Sequence, residues 1–419
     1  MHGDGIRPGI TTSNPPARLL EMTRVLALTG RRPSGVDRVC VAYLRAVLAD
    51  SVPCFGLVRT GLGYVLLDQA GMQACLEALE GHRSWPVPDF LSRIRHRVNS
   101  PRQVPDTMAR QVAVARTRPR GLGRMLRRRL PSGTVYLNVD QTTFSKRVAQ
   151  AVKSVNGAKV TVFLHDTIPL DHPQYQTAHS VQKLEAILKR CATYADLILT
   201  NSHVSACDIA RHMAPLGEIP PVEVAHLGVE VDFFEVENNG GVTEIPAPYF
   251  LCLGTIEPRK NILFLIDLWE GMAERVSQEE MPRLVIAGRR GWESSEVFER
   301  LESSPLRDEF LLEFNDLDDA DLLSLMAGAA GLLFPSHAEG FGLPPVEAAA
   351  MGVPVVANTL PVLREILGDY PIYASVSDVY QWETIVGSLA ASRKVGSGSK
   401  PRFSPPTWEA HFNTVLRVT

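Results

Sequence analysis

Residues 334–354, FPSHAEGFGLPPVEAAAMGVP, gather the groups of this 419-residue chain whose types and spacing could do chemistry. Apolar residues end at Pro335, and a loop with Glu339, Gly340, Phe341 and Gly342 follows. Leu343, Pro344 and Pro345 then lead to a second carboxylate, Glu347. Proline is tolerated where a helix begins, so a helix is expected over 344–351 with Glu347 in its first turn. Two glycines let backbone N–H groups come close to an anion, and a helix N-terminus adds free donors and a favourable dipole. That combination suits a diphosphate. Glu347 could accept both hydroxyls of a ribose, and Glu339 those of a bound sugar. A Glu-Gly pair alone would be a tight turn before an acidic helix start. The whole string, with both carboxylates, both glycines and Gly352-Val353-Pro354 behind them, is far more specific.

Residues 253–261, LGTIEPRKN, form the second piece. A strand is expected to end at Gly254, and a helix to start after Asn261 as its N-cap. Arg259 and Lys260 then sit at a strand end and a helix start, where two cations could neutralise a departing pyrophosphate. An Arg-Lys pair on a loop is ordinarily solvated charge. It gains meaning because an open α/β sheet puts such loops on one edge. Asp316-Leu317-Asp318 has the form of a metal-binding D-x-D, but it precedes a helix expected at 319–327, where capping and the dipole already explain acidic residues. No metal is expected.

Short apolar runs alternating with amphipathic stretches supply the frame, which points to βα units and parallel sheets. In the first half, strands are expected at 24–28, 134–139, 160–164 and 197–200, with a helix through 39–48 and a last strand-like piece at 222–231. The second half gives strands at 249–253, 284–287, 310–314, 331–334 and 353–357. Its helices fall at 262–275, 319–327, 344–351 and 361–367. Asn238-Asn239-Gly240-Gly241 is a strong linker signal. The expected organisation is a disordered leader to residue 22, one Rossmann-like domain over 23–240, a second over 241–400, and a C-terminal piece over 401–419.

The bulk properties agree. A chain of 419 residues suits two domains, and 45% hydrophobic with 21% charged residues is ordinary globular composition. The net charge of -3 gives no global reason to expect nucleic acid. No apolar run approaches the roughly 20 residues of a membrane helix, and the N-terminus has no secretory h-region. The six cysteines form no C-x-x-C pair and read as buried free thiols in a reducing cytosol. One segment departs from the average: residues 91–130 carry many arginines against a single acid, Asp106. Two readings stay open, a basic amphipathic segment on an anionic membrane and a solvated, partly disordered insertion. Nucleic acid is disfavoured, because interleaved aromatics are missing.

These motifs resemble the retaining GT-B glycosyltransferases of family 4, the group 1 transferases. Their E-x7-E signature matches Glu339 and Glu347, their G-x-x-x-x-R-K element matches Gly254 with Arg259-Lys260, and their G-x-x-G-W element matches Gly288 with Gly291-Trp292. The resemblance covers about residues 249–369. In the first half, Pro33 to Val39 (PSGVDRV) is similar to a P-T-G-I-D-R-V loop, and His165 to Pro169 (HDTIP) to H-D-x-I-P, both of bacterial members that build surface polysaccharides. Trp408 and Glu409 resemble a C-terminal helix that crosses back to the first domain.

The resemblance implies an α/β GT-B fold, two Rossmann-like domains facing each other across a cleft. It implies that Arg259 and Lys260 hold the donor phosphates, that Glu347 binds the ribose, and that Glu339 contacts the donor sugar, helped by backbone N–H groups of Phe341 and Leu343. His165 would face the transferring sugar, Gly35 would let its loop approach closely, and backbone near Asn315 would contact the base. No cofactor or metal is implied beyond a nucleotide-diphosphate sugar. The implied acceptor is lipid-linked or an oligosaccharide, and mannose from GDP-mannose is the favoured donor. The implied place is the cytoplasm, with peripheral contact at the inner membrane face. A nucleotide-sugar epimerase of the same fold and a catalytically silent nucleotide-sugar binder are the alternatives. A dinucleotide enzyme is disfavoured, since no G-x-G-x-x-G follows the first strand.

Overall fold

The computed structural model describes residues 14–96, 100–230, 245–292, 294–395 and 403–419. The first sheet contains β1 (Arg18–Glu21), β2 (Cys54–Thr60), β3 (Gly63–Leu67), β4 (Ala113–Thr117), β5 (Val135–Asn138), β6 (Lys159–Phe163), β7 (Leu197–Thr200) and β8 (Val222–Val224). Its order is β4-β3-β2-β1-β5-β6-β7-β8, and only β3 runs antiparallel to its neighbours. The second sheet contains β9 (Tyr249–Leu253), β10 (Arg283–Ala287), β11 (Leu311–Phe314), β12 (Gly331–Phe334), β13 (Val355–Ala357) and β14 (Ile372–Tyr373). Its order is β11-β10-β9-β12-β13-β14, parallel throughout. In each sheet the strand order reverses beside its first strand, between β1 and β5 and between β9 and β12. Such switch points are where open α/β sheets bind ligands, off the C-terminal strand ends.

The two halves share apolar packing. One buried cluster runs from Val39, Tyr43 and Leu227 to Phe341, Val346 and Leu363. Polar contacts reinforce it. Glu365, on the helix Pro361–Leu367, accepts from the backbone N–H groups of His203 at 2.6 Å and Val204 at 3.0 Å. These are the first free donors of the helix His203–Met213, and His226 Nε2 lies 2.9 Å from the same carboxylate. The helix Trp408–Val418 packs on the first half: His411 contacts the Tyr43 hydroxyl at 2.9 Å and the His226 carbonyl at 3.0 Å.

Several expectations need correction. The leader does not extend to residue 22, because Arg18–Glu21 is the central strand, buried at every position. The strand expected at 24–28 is instead the helix Thr23–Leu26. Arg18 concealed the true strand. Its guanidinium is buried, pairs with Asp50, and donates to backbone oxygens of Leu416 at 3.1 Å and Thr419 at 2.9 Å. A buried cation needs such partners, and they lie too far along the chain for a local pattern to register. The β2–β3 hairpin was not anticipated, and the piece expected at 222–231 shortens to β8. The linker expected at 238–241 lies outside the described residues. Cys207 is exposed, unlike the other five thiols.

The basic segment is built into the first domain. It supplies the helices Phe90–Arg95, Gln103–Gln111 and Leu122–Arg129 and the edge strand β4. Leu122, Met125 and Leu126 enter the core. The reading as a disordered insertion therefore fails for its described residues, and the apolar side of 123–130 is not free to meet a membrane.

Candidate active site

The loops after β9 and β12 flank the switch point of the second sheet. After β9 the chain turns through Gly254 to Glu257, and Pro258–Lys260 make one tight helical turn. Asn261 does not cap the next helix with its side chain. It adopts a left-handed conformation, φ 55°, and its amide donates to the Pro335 carbonyl at 3.3 Å, tying the β9 loop to the end of β12. After β12, residues 335–342 carry Glu339 to the helix Leu343–Ala350, with Gly342 at its N-cap. The helix starts one residue earlier than expected, and Glu347 stands beyond its first turn.

Glu339 is the electrostatic centre. One carboxylate oxygen lies 2.7 Å from Lys260 Nζ and the other 2.8 Å from Arg259 Nη1. Arg259 also meets Glu257 at 2.6 Å and the Ala338 carbonyl at 2.9 Å. Lys260 Nζ sits 4.8 Å over the Phe334 ring. Burial would raise the Glu339 carboxyl, but the charges of Arg259 and Lys260 outweigh it and hold it at about 2. Burial raises the carboxyls of Glu257 and Asp166. Two cations are thus fixed off the end of β9 by a carboxylate from the loop after β12, in the geometry that would meet a diphosphate.

The first domain closes over this loop. Gly340 lies where any side chain would collide, since a Cβ would stand 2.9 Å from the His165 carbonyl oxygen and 3.0 Å from the Asp166 Cβ. Gly35 similarly faces Leu343, whose Cδ1 would be 3.2 Å away. The loop holding Gly35 is shaped by a capping box: Ser34 donates from its N–H (2.8 Å) and Oγ (2.7 Å) to Asp37, which is paired with Arg24 at 2.6 Å. That S-x-x-D pattern was legible as a helix start. Gly35 thereby becomes the first residue of the helix Gly35–Ala49.

His165 follows β6 and is buried. Its Nε2 lies 2.8 Å from the Val139 carbonyl, so Nε2 carries the proton and Nδ1 is left as an acceptor. Burial lowers its pKa to about 4, so the ring is neutral at pH 7. Glu347, whose carboxyl burial pushes up, accepts from Arg38 Nη1 at 2.8 Å.

One cavity of about 700 Å³ takes in every site residue expected from sequence: Glu339, Arg259, Lys260 and His165, with Gly35, Gly254, Gly288, Asn315, Glu347 and the run 340–343. Asn315 reaches it beside Phe314, its amide donating to Glu313 at 3.1 Å. The cavity also takes in Arg24, Arg38, Asp166, Glu257 and Asn201, for which no site role was expected. Arg38 stood inside the PSGVDRV string, so a signal for it existed. Asp318 caps the helix Asp319–Gly328, accepting from the Asp321 N–H at 2.8 Å, and Asp316 pairs with Arg32 at 3.3 Å. Among the described residues, no three His, Cys, Asp or Glu side chains gather as metal ligands.

Two Rossmann-like domains, a shared cleft and a returning C-terminal helix define the GT-B class of glycosyltransferase folds. The crystal structure of Anabaena Alr3699/HepE in complex with UDP and glucose has the same fold, with a TM-score of 0.58, 14% identity, and coverage of 96% of this chain and 94% of that one. Within that class, residues 241–391 match the family of glycosyl transferases group 1, so the second half carries a domain of that family. Curated relatives include the serotype-specific mannosyltransferase WbdA of Escherichia coli, 29% identical over 52% of this chain and 28% of that protein. The O-antigen chain mannosyltransferase B of Escherichia coli is 31% identical over 52% of this chain and 58% of its own length. The O-antigen chain mannosyltransferase RfbU of Salmonella typhimurium is 25% identical over 55% and 65%. The chain thus spans between about a quarter and two thirds of the length of these relatives.

Proposed function

We propose that this protein is a retaining, metal-independent family 4 glycosyltransferase of bacterial polysaccharide synthesis. It moves mannose from GDP-mannose to a lipid-linked or oligosaccharide acceptor. The observation that carries this reading is the buried Arg259–Glu339–Lys260 triad at the switch point of the second sheet. Glu339 holds two cations in place before any ligand arrives. The donor diphosphate binds against them, and they stabilise the charge that grows on the leaving nucleotide. Glu339 then takes hydroxyls of the donor sugar, and Glu347 those of the ribose. Neutral His165 serves as a hydrogen-bonding partner of the sugar rather than as a cationic acid. The leaving phosphate oxygen accepts the acceptor's proton on the face it departs from, which retains the anomeric configuration. The mannosyltransferase relatives support the choice of sugar. Among the described residues no helix is long and apolar enough to cross a membrane, and the enzyme works in the cytoplasm, peripherally on the inner membrane face.

The experiment is a thermal-shift screen against UDP-, GDP-, dTDP- and ADP-sugars, with and without EDTA. Saturating ligand stabilises a protein by a few kcal/mol, on the order of 3 at a hundredfold excess over Kd. A shift with GDP-mannose that ignores EDTA is expected. No shift with any donor would overturn the reading, and sensitivity to EDTA would overturn its metal independence.

A further inference from the structure

Five large apolar side chains left in solvent stand at one corner of the first domain. Val87, Phe90, Leu91 and Ile94 are 75%, 74%, 45% and 69% exposed, and Leu62 is 42% exposed. Phe90 and Ile94 are one turn apart on the helix Phe90–Arg95 and share a face. That helix is anchored from behind. Ser92 is buried against the Thr107 hydroxyl at 2.9 Å, and Asp89, its N-cap, pairs with Arg110 at 2.5 Å. Leu62 lies on the β2–β3 turn, and Arg95 Nε donates to the Gly61 carbonyl at 2.8 Å, joining turn and helix.

Apart from Asp89, which Arg110 takes, carboxylates are scarce around this corner. Between residues 90 and 130 the only acid is Asp106, which is buried and occupied by His96 at 2.8 Å and the Gly61 N–H at 2.7 Å. Arg93, Arg116, Arg118 and Arg120 are exposed, and no ion pair holds any of them among the described residues. Apolar side chains projecting from a convex helix, beside unpaired arginines, match a surface that is anionic outside and apolar within. Nucleic acid would want stacking rings, and Phe90 is the sole aromatic between 90 and 130. A folded partner would have to offer a pocket for Phe90 and Ile94 and carboxylates for the arginines together, whereas a fluid bilayer supplies both everywhere.

We propose that this corner docks on a membrane rich in anionic lipid, with Phe90 and Ile94 inserted at the headgroup boundary and the arginines on the phosphates. The C-terminal ends of β2 and β4 and the β2–β3 turn lie on the same sheet edge as the ends of β1, β5 and β6, beside the cavity. Docking there sets the cavity mouth next to the bilayer, where a lipid-anchored acceptor would be. That last step rests on the transferase reading; the docking does not.

The test is co-flotation of the full chain with phosphatidylcholine vesicles, with and without phosphatidylglycerol, with the thermal shift on GDP-mannose run in parallel. The native chain should float only with anionic vesicles. The double substitution Phe90→Ser/Ile94→Ser should weaken partitioning about tenfold, since insertion scales with buried apolar area. Arg118→Glu/Arg120→Glu should weaken it about fivefold or more per residue. Melting temperature shows that each variant is folded. Absence of anionic binding, or binding indifferent to both doubles, overturns the proposal. So does a change of oligomeric state in the apolar double without a change in flotation, which would make the corner a protein interface. A lost donor shift with normal flotation would instead fault the transferase reading.

Discussion

Arg38 reaches across the cleft to Glu347, Nη1 to Oε1 at 2.8 Å, and its other terminal nitrogen lies 3.1 Å from Asp319. The carboxylate proposed to read the ribose is therefore held by a cation of the opposite domain. Arg38 is 40% exposed, so its guanidinium can turn into solvent when a ribose takes its place at the carboxylate.

Removing Arg38 should change how donor binding depends on pH. Burial raises the Glu347 carboxyl and Arg38 pulls it back down. In Arg38→Ala the carboxyl rises further, protonates nearer neutrality and accepts hydroxyls less well. Calorimetric titration across a mildly acidic to alkaline series should show the loss of affinity moving to higher pH. An unchanged profile would remove Glu347 from the ribose contact.

Lys260→Ala and Glu339→Gln should each lower turnover by about 100- to 1,000-fold, as loss of a charge-stabilising group does. Glu339→Ala is a poorer probe, because unlike glutamine it leaves no acceptor for Lys260 and takes one from Arg259, which keeps Glu257. Normal rates in both recommended variants, with melting temperatures near the parent's, would sink the site assignment.

Glu21 makes stability fall as pH rises. Burial lifts its carboxyl from 4.5 to about 7, against the hydrogen bonds it receives from Thr23 and Tyr136. Between those values the folded chain holds a proton that the unfolded chain has released. Stability from this group is full below pH 4.5 and declines through pH 7, by about 3 kcal/mol in all. Glu21→Gln should flatten that slope in denaturant titrations. A parent slope retained in the variant would assign it elsewhere.

Glu365→Ala should loosen the two domains. It removes the acceptor for two N–H groups of the helix His203–Met213, a loss comparable to deleting a cap, about 1–2 kcal/mol. Small-angle scattering should report a larger radius for the ligand-free variant. An unchanged radius and melting temperature would show that the apolar cluster alone holds the cleft closed.

The second half was legible because a parallel sheet is buried on both faces. Its strands read as mostly apolar runs, β9 and β10 each ending at a glycine, and β12 and the helix Pro361–Leu367 take their expected bounds. The first half was harder. Arg18 makes the central strand look polar, and only distant partners explain it. Asn261 looked like a cap, but its amide serves a carbonyl of another loop. Arg38 stood in a noticed string without a role, since its partner Glu347 lies 309 residues away. These three misses share one cause: a polar side chain whose partner is brought to it by the fold.

The returning helix Trp408–Val418 has a mechanical consequence. The chain passes between the halves once between β8 and β9, and again between the helix Val379–Val395 and this last helix. His411 fastens that last helix to the first domain, so the halves are joined at two points of the chain rather than one, and free swivelling about a single connection is ruled out.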